Sequence, residues 1–215
     1  LTTSPFSTTG GSDSFGNIWS DSEINEEINY NWVEISGEGT VVNFSNNDVG
    51  TNLISMDFNF PFYGGLYSAV RINPNGWVGF GSDNEGWDNS SIPDSNAPLN
   101  AIMGLWDDLN PENDNCNQYC SGNVYYHGDE NRFVVWFDDV AHWWTNFENS
   151  YYDFQFVLYA DGEIHLNYRN IEGDHDATIG IQNSDASDGL QVSFNTDYAN
   201  NNKSLVFNAV PEWLT

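Results

Sequence analysis

The stretch Ile54–Phe60, ISMDFNF, alternates apolar and polar side chains without a break. Successive residues of an extended chain point to opposite faces, so Ile54, Met56, Phe58 and Phe60 define a buried face and Ser55, Asp57 and Asn59 a solvated one. The pattern recurs in Phe154, Phe156 and Leu158, and Ile164, Leu166 and Tyr168 answer it across the turn Ala160-Asp161-Gly162, whose Asp-Gly pair suits positive φ. Pro74-Asn75-Gly76 marks another tight turn. No segment carries an apolar stripe at the helical period. These signals predict an all-β chain of about a dozen strands with almost no helix, arranged as two antiparallel sheets face to face in a jelly-roll-like β-sandwich.

One stretch breaks the rhythm. AIMGLWDDLNPENDNCNQYC (101–120) opens with an apolar run suited to a strand buried on both faces, then crowds side-chain oxygens from Asp107, Asp108, Asn110, Glu112, Asn113, Asp114 and Asn115 around a proline. It reads as a hinge between two halves of the sandwich. Such oxygens repel one another unless a cation sits among them, and calcium takes six to eight of them. Asp107, Asp108, Asn110 and Asp114 are the candidate Ca2+ ligands. A solvated acidic loop has the same composition, and the spacing does not match an EF-hand loop.

Charge narrows the partners. Four Lys and Arg face 32 Asp and Glu, for a formal charge of -28. Phosphates are held mainly by Lys and Arg, so nucleic acid and anionic membrane surfaces are excluded as direct partners. Adaptation to a saline setting explains the same excess. No stretch approaches the ~20 apolar residues that span a bilayer, so a soluble protein is expected. The two cysteines, Cys116 and Cys120, lie within the acidic loop, and the four histidines are scattered, which disfavours zinc and favours a disulfide. A disulfide implies an oxidising, extracellular or periplasmic setting. A chain beginning at Leu1, without an initiator Met, fits a mature or excised fragment.

The Ser/Thr/Gly-rich residues 1–12 read as a linker or mobile arm, and 13–215 as a single domain. Tyr30–Ser36 (YNWVEIS) and Thr40–Ser45 (TVVNFS) read as strands, Phe133–Val140 as a strand near the middle of a sheet, and KSLVFNAV, beginning at Lys203, as a final edge strand. Trp32, Trp77, Trp106 and Trp136 lie in strands and are assigned to the core.

DSFGNIWSDS, YNWVEISGEGT, FPFYGGLYSAVRINPNGWVGFG, IMGLWDDLNP, NVYYHGDENRFVVWFDDV, DFQFVLYADGEIHLNYRNI and TIGIQNSDASDGLQVSFN together resemble a β-rich module of large secreted bacterial proteins, including subtilisin-like proteases and sorting-signal-bearing surface proteins. The second half is also similar to the nidogen-like domain of animal extracellular proteins. The resemblance covers nearly the whole chain after Asp13 and implies an extracellular, non-catalytic accessory role without naming a ligand.

Asp107-Asp108 and Asp138-Asp139 are adjacent carboxylates, which on a strand would point to opposite faces and make no acid/base couple. No G-x-S-x-G, H-E-x-x-H or P-loop motif is present. Facing carboxylates on distant strands, as in a glycoside hydrolase or lyase, stay open as an alternative. The leading expectation is a non-catalytic module. Trp87, His142, Trp143, Trp144, Phe147 and Tyr151 lie in or beside polar loops, and aromatic faces there would stack on the C–H faces of sugar rings while Asp, Asn and Gln bond the hydroxyls. The expected partner is extracellular polysaccharide, with calcium as stabilising ion. Protein, including other domains of the same chain, would use the same aromatics, or His142–Phe147 would simply plug the sandwich end.

Overall fold

The computed structural model describes residues 10–82, 84, 86–116, 119–143 and 149–209. In chain order the strands are β1 (Gly10–Gly11), β2 (Asn17–Asp21), β3 (Thr40–Val41), β4 (Ile54–Phe62), β5 (Gly65–Asn73), β6 (Trp77–Gly79), β7 (Ala101–Trp106), β8 (Leu109–Asn110), β9 (Asn123–Gly128), β10 (Arg132–His142), β11 (Tyr151–Tyr159), β12 (Ile164–Glu172), β13 (Thr178–Gln182), β14 (Gly189–Ser193) and β15 (Lys203–Ala209). There is no helix among the described residues. Two antiparallel sheets form, a larger one in the order β1-β2-β15-β12-β11-β10-β9-β3, with β8 also on β10, and a smaller one in the order β14-β13-β7-β6-β5-β4. The sandwich expected from the alternation is the fold observed.

The sheets do not divide at residues 101–120. The β13–β14 hairpin crosses back to pair with β7, and the N-terminal β2 pairs with β15. β15 is therefore interior rather than an edge strand, because β2 supplies the ladder that its outer side needs. Gly10 and Gly11, read as part of the arm, pair with Trp19 and Ile18. TVVNFS is regular only at Thr40–Val41, and Phe44 makes an isolated bridge to Asn113.

The main core lies between the sheets, with Met56, Phe60, Ile72, Val78 and Ile102 on one side and Val135, Phe137, Phe154, Phe156, Leu166 and Phe207 among those on the other. Gly104 admits a close approach: a Cβ there would come within 2.4 Å of the Phe156 ring. Its carbonyl accepts the buried Tyr168 hydroxyl at 2.8 Å. The indoles of Trp77, Trp106 and Trp136 are buried as expected, yet none belongs to this core. Trp77 and Trp106 pack on the outer face of the small sheet with Met103, beneath Ile92 and Ala97. Trp136 packs on the outer face of the large sheet with Val33 and Ile35, and Trp32 is only partly buried there.

YNWVEIS, read from its alternation as a strand, makes no ladder. It crosses the large sheet as a strap held by side chains. Gln155 accepts the Val33 N–H at 2.9 Å and donates to the Val33 carbonyl at 3.1 Å, which substitutes for a neighbouring strand. Asn167 extends the network to the Asn31 carbonyl and to Gln155, each at 3.1 Å. Arg169 clamps the strap from outside, 4.3 Å from the Trp32 ring centroid and 5.0 Å from that of Trp136. Replacing Gln155 by Leu would leave the Val33 amide and carbonyl without partners in a buried setting, an expected cost of about 2–3 kcal/mol. Urea denaturation measures the loss, and hydrogen exchange at Val33 should accelerate beyond it.

Candidate binding site

Strand direction sorts the loops to two ends. Trp77 pairs with Met103 and Gly79 with Ala101, so the β5–β6 turn and the residues after β7 share one end. The same end receives His142, at the close of β10, because His142 pairs with Leu109. The β4–β5 and β11–β12 turns lie at the other.

At the first end the chain leaves β7 through Asp107 and Asp108, both buried. The turn before it is rigid. Gly76 has φ of 78°, and a Cβ there would come within 2.0 Å of the Leu105 carbonyl oxygen. Beside Gly76, Asn75 accepts the Leu109 N–H at 3.0 Å and donates to Asp48 at 3.3 Å. Asp107 accepts the Asp108 N–H at 2.8 Å, and its other oxygen lies 3.3 Å from His142 Nε2. Asp108 is 8% exposed, and its Oδ1 makes no hydrogen bond. Burial, followed by the negative charges of Asp48, Asp107 and Asp88, pushes the Asp108 carboxyl up from 3.8 to about 7. Asn110 is buried with neither amide atom hydrogen-bonded.

Two exposed tryptophans adjoin this cluster along the backbone. Trp143 is 37% exposed, and its backbone N–H donates to the Asp108 carbonyl at 2.8 Å. Trp87 is 45% exposed and adjoins Asp88, whose charge acts on Asp108. The segment bearing Trp87 is anchored where Trp106 Nε1 donates to the Gly86 carbonyl at 3.2 Å.

The structure thus brings Asp107, Asp108, Asn110, His142, Tyr151, Trp87 and Trp143 to one end, buries some of them, and leaves Asp114 apart. His142 is buried and cannot present its ring as a surface platform, since β10 carries it inward beside Asp107. Tyr151 is half-buried at the start of β11, opposite Ala141. Asp114 is exposed, its N–H bonded to the Phe44 carbonyl, and it is not among the carboxylates acting on Asp108. Asp48 and Asp88 stand there instead. Nothing local distinguishes either from the other acids of the chain, because only the packing of distant loops brings them to Asp108. Trp144 and Phe147 lie outside the described residues. Cys116 and Cys120 form the expected disulfide, with Cα atoms 5.7 Å apart.

Among the described residues no three His, Cys, Asp or Glu side chains form a group able to hold a metal by themselves. Any cation here would need amide, carbonyl or water oxygens as well, which calcium accepts. No curated protein and no solved structure matches the chain. The family model described as NIDO related matches residues 24–211. That match spans every strand of the sandwich from β3 to β15, and the chain therefore belongs to the NIDO-related family.

Proposed function

We propose that the chain is a non-catalytic extracellular binding module that holds a larger secreted protein on neutral polysaccharide through the end of the sandwich bearing Trp87 and Trp143, with calcium stabilising the carboxylates beneath. Family membership and the Cys116–Cys120 disulfide point to an extracellular context. The observation that carries the reading is that two exposed tryptophans join, through the Trp143 backbone bond to Asp108 and the adjacent Asp88, to one acidic cluster at a single end of the sandwich. Indole faces match the apolar faces of sugar rings, and the surrounding oxygens match hydroxyls. The charge of -28 favours an uncharged glycan over an anionic one.

The raised pKa of Asp108 supports a second reading, hydrolysis of the bound glycan by a carboxylic acid kept protonated near neutrality. Its 8% exposure argues against contact with a glycosidic oxygen. Glycan-array binding followed by affinity electrophoresis on neutral polysaccharides separates the two. Trp87→Ala and Trp143→Ala should each weaken retention at least about tenfold, as loss of a central aromatic anchor does. Unchanged retention in both variants removes the platform. Release of reducing ends by the wild type, abolished in Asp108→Asn, replaces the binding reading with the hydrolytic one.

A further inference from the structure

At the opposite end the two sheets part around a cavity of about 400 Å³. Its floor is the buried side chains of Phe62 and Ile181 from the small sheet and Ile164 and Phe207 from the large one. Two apolar side chains stand at its mouth in the open, Phe15 at 49% and Leu66 at 71% exposure. Asp161 and Glu163, in the β11–β12 turn, also line it.

This mouth is built. Asp188 accepts the N–H groups of Ser14 and Phe15, at 3.1 and 2.8 Å. Asp13 accepts those of Gly16 and Asn17, at 2.8 and 2.7 Å, and the Tyr63 hydroxyl at 2.7 Å. The Phe15 ring is thereby fixed 5.4 Å from that of Tyr63. An exposed aromatic ring held by four backbone hydrogen bonds is preorganised rather than loosely displaced. The facing turn is pinned as well, since Gly162 packs where a Cβ would come within 2.8 Å of Pro61.

The volume is at the low end of the roughly 300–1,000 Å³ of ligand sites, room for one long side chain rather than an oligosaccharide. Charge selects among side chains. Asp161 accepts the Glu163 N–H at 3.2 Å, and Glu163 holds His165 at 2.6 Å. The four cations of the chain are engaged elsewhere: Arg71 on the Thr51 and Gly81 carbonyls, Arg132 beside Asp129, Arg169 with Asp153, and Lys203 with Asp21 and Glu23. An apolar cleft rimmed by carboxylates suits a side chain with an aliphatic stem and a cationic head.

We infer that this cavity binds a lysine or arginine side chain of an extended peptide in a protein partner, its stem against Phe62, Ile164 and Phe207 and its head at Asp161 and Glu163. The site lies at the end opposite Trp87 and Trp143 and stands independently of glycan binding. Fluorescence anisotropy with a labelled GGLKLGG peptide, and its GGLELGG and GGLQLGG counterparts, tests it. GGLKLGG should bind and the other two should not. The double variant Asp161→Asn/Glu163→Gln should weaken GGLKLGG at least about tenfold, as loss of charge-assisted hydrogen bonds does. Phe15→Ala, which leaves every carboxylate in place, should also weaken it. A control, Glu26→Gln/Glu27→Gln, removes two exposed charges beyond the far end of β2 and should leave affinity unchanged. Equal loss in the rim and control variants would reduce the interaction to general attraction by a charge of -28 and overturn the assignment. So would equal binding of GGLKLGG and GGLQLGG, or no binding of GGLKLGG.

Discussion

Replacing Lys203 by Met is expected to cost about 3–5 kcal/mol, because it strands a buried carboxylate. Lys203 and Asp21 are both buried, with Nζ 3.5 Å from Asp21 Oδ2 and 2.8 Å from Glu23 Oε2. Nζ also donates to the Tyr198 carbonyl at 3.2 Å and sits 3.5 Å from the centroid of that ring. Asp21 accepts the Glu23 and Ile24 N–H groups at 3.0 and 3.1 Å and the Tyr198 hydroxyl. Those donors do not cancel its charge in a chain that carries -28 overall. The pair joins β2 to β15, so its loss should loosen the edge that closes the large sheet. Thermal and urea unfolding measure the effect, with a fall in Tm of roughly 6–20 °C for a domain of this size. Lys203→Met/Asp21→Asn should recover part of the loss, since no unpaired ion then remains. A double variant less stable than the single one would show that packing, not charge, makes Lys203 necessary.

The second large effect has the opposite sign. The folded-state pKa of Asp108, about 7, is above its ordinary 3.8, so the native protein favours the protonated acid. The stability this group contributes is fully present below pH 3.8 and is lost as pH rises through about 7. A full displacement between those values corresponds to about 4 kcal/mol, at roughly 1.4 kcal/mol per unit. Asp108→Asn, which mimics the neutral acid, should therefore unfold at higher temperature than the wild type at pH 8 and alike below pH 3.8. Calcium enters the same comparison. An ion that neutralises Asp108 should raise the wild-type midpoint at pH 8, by about 2.7 kcal/mol at a hundredfold excess over Kd, and leave Asp108→Asn nearly unmoved. EDTA should reverse the rise. A wild-type midpoint indifferent to calcium and EDTA would sink the calcium proposal, while the pH comparison would stand on burial and neighbouring charge alone.

The candidate site was partly legible. Trp87 and Trp143 stood out as indoles in polar surroundings, and both are exposed. His142 looked equivalent, but a residue at the end of a central strand is carried where the strand goes, and β10 takes it inward against Asp107. Asp107 and Asp108 were visible as a pair, whereas Asp48 and Asp88 became their neighbours only through loop packing. Asp114, close in sequence, stands apart.

Alternation at period two was enough for the fold class, since Ile54–Phe60 can bury one face and solvate the other only as a strand in a layered structure, although Phe154–Leu158 proves buried on both faces because the YNWVEIS strap covers its outer side. Their partners beyond the local hairpins were not fixed, because ladder hydrogen bonds form between any two backbones and carry little sequence information. Only the folded chain decided that β15 is interior, and that YNWVEIS is a strap on Gln155 rather than a strand. It also decided which acids crowd Asp108. Each is a contact between segments far apart in the chain, and periodicity reports which face is buried without saying what buries it.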